Sequence, residues 1–391
     1  MKIQNSFLLW RDALGCTLLT FLIGGFFYLL LNSANFLSPI ENAFRDFNYS
    51  DIYYSKLQDS VTKTDKIILV NVGHANRLEI AMGLQTVTSQ NPKVIGLDMI
   101  FKDAKEPNSD SILKAILKST PNLVSAFRFD RDRIVDNHPK FEIPLKNSGY
   151  LDLSINDETS VVRQFTGAKT IKNNTLLAFP VKVALEAGFL DKDKIAKLYD
   201  HELTINYFGN QNRYLSFDIE ELLDRKNIPA MYNAIVLFGF MGDSLGDNFS
   251  LEDRHYSPLN PKFAGRSFPD IYGLVIHANI IEMFTTSQFI YRVPNFFSWL
   301  FAFIGTWGLI ALGMRIGKKN AFAFDFGIKI VQILATIILL YLTYALVKTN
   351  IHLQITPLII LSLLGLEMIC FYTHLTRFVK KRWPWKSYVI D

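Results

Sequence analysis

Four charge-poor apolar runs constrain this chain more than any motif in it, because each is long enough to cross a bilayer, which takes about 20 residues of helix. They are residues 13–31 (ALGCTLLTFLIGGFFYLLL), 296–314 (FFSWLFAFIGTWGLIALGM), 328–347 and 355–375. In lipid every backbone N–H and C=O has to be bonded within its own segment, so runs of this kind are read as helices. Hydrophobic residues are 49% of the 391, but that average conceals a partition. Between the first and second runs lie about 260 residues with no comparable stretch, enough for a folded domain with its own core.

Lys and Arg collect on the cytoplasmic flanks of membrane helices. Lys2 and Arg11 precede the first run; Arg315, Lys318 and Lys319 follow the second; Arg377, Lys380, Lys381, Arg382 and Lys386 follow the fourth. The segment between the third and fourth holds only Lys348 and His352 as basic residues. The expected order is a cytoplasmic N-terminus (1–12), helix 13–31, an extracytoplasmic domain (32–294), helices 296–314, 328–347 and 355–375, and a basic cytoplasmic tail (376–391). The first run is longer than a signal-peptide core, and Asn32-Ser33-Ala34-Asn35 is a poor cleavage site, so an uncleaved anchor is expected. Ala13-Leu14-Gly15-Cys16 is a weak lipoprotein acceptor, since the apolar run follows the cysteine.

Cys16 and Cys370 are the two cysteines and both fall in the apolar runs, so no disulfide or thiolate metal site is expected in the middle domain. The net charge of +5 resides mainly in the flanking residues and gives no reason to expect nucleic acid binding.

Residues 39–57, with Ile40, Phe44, Phe47 and Tyr54, suggest a helix after the first span. Short β-rich runs follow at 66–72, 94–100, 122–127, 203–207 and 234–239, separated by helical stretches at 75–90, 109–118 and 176–188. The expected fold is therefore an α/β extracytoplasmic domain, a mainly parallel sheet flanked by helices, plus four α-helical transmembrane segments. Residues 149–153 and 161–172 suggest an added hairpin. Ligands in such sheets sit beyond the carboxyl ends of the strands. That edge holds Asn71, Gly73 and His74, then Asp98, then the turn 242–247.

That last turn belongs to FMGDSLGD, residues 240–247, which spells a GDSL-type esterase with Ser244 as nucleophile. A serine hydroxyl needs a positioned base. In those enzymes the serine block opens the domain and an Asp-x-x-His pair lies far downstream. Here the serine comes late, and Glu252 and Leu274 stand three positions before His255 and His277. Glycines that permit a tight turn and Asp or Ser side chains that cap amides account for the same letters.

A fuller match comes from the order of several segments. IVLFGFMGDSLGD (235–247) is followed by Tyr256-Ser257-Pro258-Leu259, then YGLVIHANIIEMF (272–284), then three apolar runs. This order resembles the CHASE2 family of extracytoplasmic sensor domains. Residues 41–54 resemble its post-membrane helix, VIGLDMIF (94–101) its second strand, and Ile205-Asn206-Tyr207 a further strand. The resemblance implies a multi-pass protein of the bacterial cytoplasmic (inner) membrane with the large domain facing the periplasm or exterior. Where the family commonly has an acidic strand end and a Trp-Pro-rich helix start, this chain has Asn71-Val72-Gly73-His74. Family members usually continue into a cyclase or kinase; here about 16 residues follow the last span, too few for a catalytic domain. The implied function is a sensor that signals through a separate membrane or cytoplasmic partner. A homodimer is compatible with that class. A docking subunit of an envelope complex and a Ser244 esterase are the alternative readings, and no cofactor is expected.

The ligand-binding candidates are Asp98, Asp247, His277 and Asn71. Asp98 and Asp247 could meet at the strand ends, although two acids make a sparse metal site. A lone histidine such as His277 more often satisfies a buried backbone group. Glu252, Asp253, Arg254 and His255 read most simply as a solvated loop, with the rim of a pocket beside the glycine turn as the alternative. Glu367 is a carboxylate inside the fourth span, costly unless paired or near water; it lies about two turns from the cytoplasmic end, so partial snorkelling is one reading and pairing with Lys329, at the start of the third span, the other. The tail, Lys380-Lys381-Arg382-Trp383-Pro384-Trp385-Lys386, reads as an anchor to an anionic lipid surface.

Overall fold

The computed structural model describes residues 2–33, 51, 53–57, 62–131, 133–155, 160–171, 174–191, 201–225, 227–246, 250–260, 268–318 and 321–390. The chain divides into two compact units, residues 43–290 and residues 1–42 with 291–391.

Helix α1 (Lys2–Ser33) opens the chain. The larger unit then runs β1 (Thr64–Asn71), α2 (Arg77–Ser89), β2 (Val94–Leu97), α3 (Pro107–Ser119), β3 (Leu123–Asp130), β4 (Arg133–Val135), β5 (Ser148–Tyr150), β6 (Ser154–Ile155), β7 (Val162–Thr166), β8 (Ala168–Ile171) and β9 (Asn174–Leu177). It continues with α4 (Phe179–Glu186), β10 (Glu202–Thr204), β11 (Tyr214–Asp218), α5 (Ile219–Asp224), β12 (Ile235–Gly239), β13 (Arg254–His255), β14 (Ile271–Tyr272) and α6 (Gly273–Thr286).

The main sheet has the order β11-β1-β12-β2-β3-β4, with β5 also on β3, and every pairing is parallel except the β3–β4 hairpin. Successive strand residues point to opposite faces. Ile67 and Leu69 of β1 therefore pack with α4 and α6, while Ile68 and Val70 pack with α2, α3 and α5. All four are fully buried, and each such side chain contributes about 1.5–3 kcal/mol. Burial on both faces is why these strands read as continuous apolar runs. Helix α2 is started by Asn76, whose side chain accepts from Leu78 N and Glu79 N while Glu79 returns a bond to the Asn76 amide.

The expected hairpin of 149–153 with 161–172 does not form. β5 instead joins β3 in parallel, β7 lies between β6 and β10 in a separate antiparallel sheet, and β8 pairs β9. The reason lies at Gly149: a Cβ there would sit 2.5 Å from Phe179 Cα, so the strand is pressed on the backbone that opens α4. Gly149→Ala is expected to cost about 3 kcal/mol by overpacking, read as a lowered denaturation midpoint of the full chain. The run 203–207 supplies β10 of the small sheet, and the edge position of the main sheet is taken by β11.

The other unit holds α1, α7 (Asn295–Gly317), α8 (Ala321–Lys348) and α9 (Thr356–Lys380), four helices long and apolar enough to cross a membrane. The short strands β15 (Tyr291–Arg292) and β16 (Ile351–His352) pair in parallel. Helices α7 and α9 approach closely because Gly313 faces Leu366 and Ile369 while Gly365 faces Thr306 and Ile310. Asp12 of α1 is fully buried and accepts hydrogen bonds from the Ser387 hydroxyl (2.6 Å) and the Tyr388 amide (2.7 Å). The Arg11 guanidinium lies 4.4 Å from the centre of the Trp385 ring. The expected helix at 39–57 lies outside the described residues, save Asp51 and the helical turn Tyr53–Leu57.

Candidate functional site

Four strands of the main sheet end together, and the side chains at their carboxyl ends fall into two groups. The first is a tether. Asn71, buried at the end of β1, donates from Nδ2 to Asp218 Oδ1 (2.8 Å) and to the Gly242 carbonyl (3.1 Å). Its Oδ1 accepts from the Met241 amide (2.7 Å) and the Gly73 amide (3.1 Å). Asp218, at the end of β11, also accepts from the Leu245 amide at 3.0 Å. Asn71 thus spends one donor and one acceptor position on fixing the 240–246 turn, and the other two on Asp218 and the Gly73 amide. In that turn Ser244 is exposed, and its neighbour Asp243 lies 2.9 Å from His74 Nε2 at the surface. Asp247 lies outside the described residues.

The second group is electrostatic. Asp98 follows β2, its amide donating to Phe238 O at 2.8 Å. A Cβ at Gly239 would lie 2.8 Å from Leu274 and 3.2 Å from Asp98 Cβ, so a glycine in β12 is what brings the first turn of α6 against Asp98. Burial, then the nearby Asp253 carboxylate, pushes the Asp98 carboxyl well above the usual range. Asp253 stands before β13 with φ +54, a left-handed conformation that Asp tolerates better than most residues. Its carbonyl accepts from the Gly273 amide (3.1 Å), and its carboxylate packs on Gly273, where the positive end of the α6 dipole favours it.

His255 Nε2 lies 3.7 Å from Asp253 Oδ1. One turn along α6, His277 is buried with no hydrogen bond to Nδ1, its ring edge-on to Phe179 at 5.4 Å. Burial, reinforced by His255, lowers its pKa to about 3. Asp98, Asp253, His255 and His277 are therefore four titratable groups gathered on one face of the sheet around the start of α6. Among the described residues no group of three or more His, Cys, Asp or Glu is placed to hold a metal ion.

A desolvated carboxyl is a cost to the fold at any pH where it must ionise. With its folded pKa above the unfolded value, Asp98 weakens the domain as pH rises above the ordinary carboxylate range. Asp98→Asn is accordingly expected to raise the unfolding temperature at pH 8, and to raise it less at pH 5.

The domain also has two clefts, neither of them lined by these four groups. One of about 780 Å³ is lined by Asn76, Arg77, Ile100, Phe101, Lys102 and Lys105 among others. Its Arg77 is fixed by an ion pair to the fully buried Asp110, which also accepts from Lys140 Nζ (2.9 Å) and the Lys105 amide (2.8 Å). Burial opposes ionisation of Asp110, but the bonds from Lys140 and Arg77 outweigh it and bring its pKa down to about 2. The other cleft, about 570 Å³, is lined by Asn210, Tyr214, Gly246, Asp270 and Tyr272 among others.

A family model described as the CHASE2 domain matches residues 22–316. The chain belongs to the CHASE2 family. No curated protein and no solved structure matches it. CHASE2 is a sensor-domain family, and the motifs of this member divide by role. Ser257, of Ser257-Pro258-Leu259, gives its amide (2.9 Å) and hydroxyl (2.5 Å) to Asp270, closing a turn. Asn279 clamps the backbone of the 208–209 segment, accepting from Phe208 N (2.7 Å) and donating to Gly209 O (2.9 Å). Glu282, equally buried, binds Arg213 and accepts from the Tyr214 hydroxyl at 3.0 Å. In the same helix, 273–286, His277 Nδ1 has no hydrogen-bond partner among the described residues, whereas Asn279 and Glu282 are both engaged.

The partner of Asp98 is the residue that sequence reasoning passed over. Asp253 and His255 read as a solvated loop, and the Asp253 side chain is indeed 43% exposed, but β13 pairs with β14, which leads straight into α6. No local signal reveals this, because a two-residue strand has no periodicity.

Proposed function

We propose that this CHASE2 protein is a membrane-anchored extracytoplasmic sensor, in which a stimulus that changes the charge of Asp98, beside Asp253, acts on the start of α6. The observation that carries the reading is the convergence of a desolvated carboxyl, a second carboxylate and an unpartnered buried imidazole on one helix terminus. Groups with strongly shifted pKa values cluster at functional sites. Helix α6 is also the last helix before α7 in the chain, which makes it the covalent route towards the membrane helices. In this reading the large domain faces the periplasm or exterior, and a separate protein receives the signal.

Two measurements test it. A Ser111→Cys chain in intact cells is expected to react with a membrane-impermeant maleimide before lysis; labelling only after lysis would place the domain on the cytoplasmic side. Hydrogen exchange of the full chain in lipid nanodiscs is expected to show α6 amides changing protection between pH 8 and pH 5, with the change lost in Asp98→Asn. Equal protection at both pH values would remove the site from the account.

A further inference from the structure

Helices α8 and α9 carry a polar group where a lipid-facing surface ought to be apolar. Lys329 Nζ and Gln332 Nε2 both donate to Glu367 Oε1, the latter at 2.8 Å. Oε2 of Glu367 takes no bond among the described residues. The Lys329 and Glu367 side chains remain 60% and 55% exposed, while Ile330, Ile333 and Phe371 around them are exposed apolar groups. The position is deep: about 15 Å of helix separates Glu367 from Arg377, the first basic residue after it. Lys329 lies one turn inside the apolar span of α8, which begins at Phe326, and its side chain is turned across to Glu367 on the neighbouring helix.

Half-satisfied charges in hydrocarbon are costly, and polar groups within spans face other helices or water. Something covers this one. The patch bears both signs, with spare protons on Lys329 and a spare oxygen on Glu367, so it complements itself. A twofold axis along the membrane normal sets Lys329 of one copy against the open Glu367 oxygen of another, and the reverse, the isologous arrangement usual for homodimers.

We propose that the Lys329–Gln332–Glu367 face is the contact through which two copies of this chain associate within the membrane. The proposal rests on the membrane helices and is independent of the sensor reading.

Charge exchange between copies tests it. Two differently tagged full chains are co-expressed, extracted in polymer-bounded native membrane discs, and assayed for co-purification. Wild type is expected to co-purify with wild type. Lys329→Glu and Glu367→Lys are each expected to lose self-association at least about tenfold through like-charge repulsion. Mixing one copy of each restores it, because an all-acidic patch then meets an all-basic one, an effect no rescue within a single chain can produce. Lys329→Leu with Glu367→Leu serves if a charged variant fails to accumulate, and is expected to insert as a monomer. The proposal is overturned if wild-type copies do not co-purify, if the mixed pair recovers no association, or if the double leucine chain associates as well as wild type.

Discussion

A His277→Leu chain loses most of the acid sensitivity that the parent shows between pH 7 and pH 5. Buried imidazole with a folded pKa of about 3 stays neutral while the unfolded chain takes up a proton below about 6.5. The unfolded state then binds more protons, so stability is present above 6.5 and is lost as pH falls towards 3. By pH 5 the loss amounts to about 2 kcal/mol, roughly 1.4 kcal/mol for each pH unit below the unfolded pKa. Leucine keeps the volume and removes a nitrogen that has no bond to lose. Native-state hydrogen exchange of β1 and β12 amides in the full chain at both pH values reads the difference. An acid loss as large in the variant as in the parent would show that His277 is protonated in the folded domain.

Asp110→Ala is expected to be the more damaging change, costing about 3–5 kcal/mol at pH 7, because it strands the buried Arg77 guanidinium without its counter-ion. Its pH signature differs from that of His277. Asp110 has a folded pKa of about 2, below the unfolded value of about 3.9, so its contribution is complete above pH 4 and disappears as pH falls from 4 to 2. Between pH 6.5 and 4 the loss is the histidine's, and below 4 the aspartate's share is added. The same exchange experiment, extended to pH 3, separates them. An Asp110→Ala chain as stable as the parent would mean that Lys140 and the Lys105 amide are not held by that carboxylate.

What could be read in advance followed from how much of each signal is local. The four membrane helices were legible since about 20 apolar residues permit few other fates. β1, β2, β3 and β12 were legible because burial on both faces leaves unbroken apolar runs. Edge strand β11, Tyr-Leu-Ser-Phe-Asp, was missed: it is five residues long, only Tyr214 and Phe217 are buried, so it lacks the two-residue period of a strand, and nothing in it marks a partner. The place of β5 was misread because Gly149 looks like a turn residue, whereas its requirement comes from Phe179 across the fold.

Asp98 and His277 could be picked out as polar residues in apolar surroundings. Asp253 could not, since its approach to Asp98 depends on β13 pairing with β14 and on the missing side chain of Gly239. Asn71 stood out as a polar strand end, and only the fold shows its bonds engaged by the 240–246 turn, Asp218 and Gly73. In the tail, Ser387 and Tyr388 gave no hint that a buried Asp12 would hold them.

The central claim is that charge at Asp98 and Asp253 is felt by the membrane helices. All five tryptophans, Trp10, Trp299, Trp307, Trp383 and Trp385, belong to the unit formed by residues 1–42 and 291–391, and the sheet domain has none. Tryptophan emission of the full chain in nanodiscs therefore reports on the membrane unit alone. Titrated from alkaline pH down to the ordinary carboxylate range, the wild-type chain is expected to shift its emission in one step, and Asp98→Asn to abolish that step. An emission that does not change, or a step that Asp98→Asn leaves in place, would contradict the account.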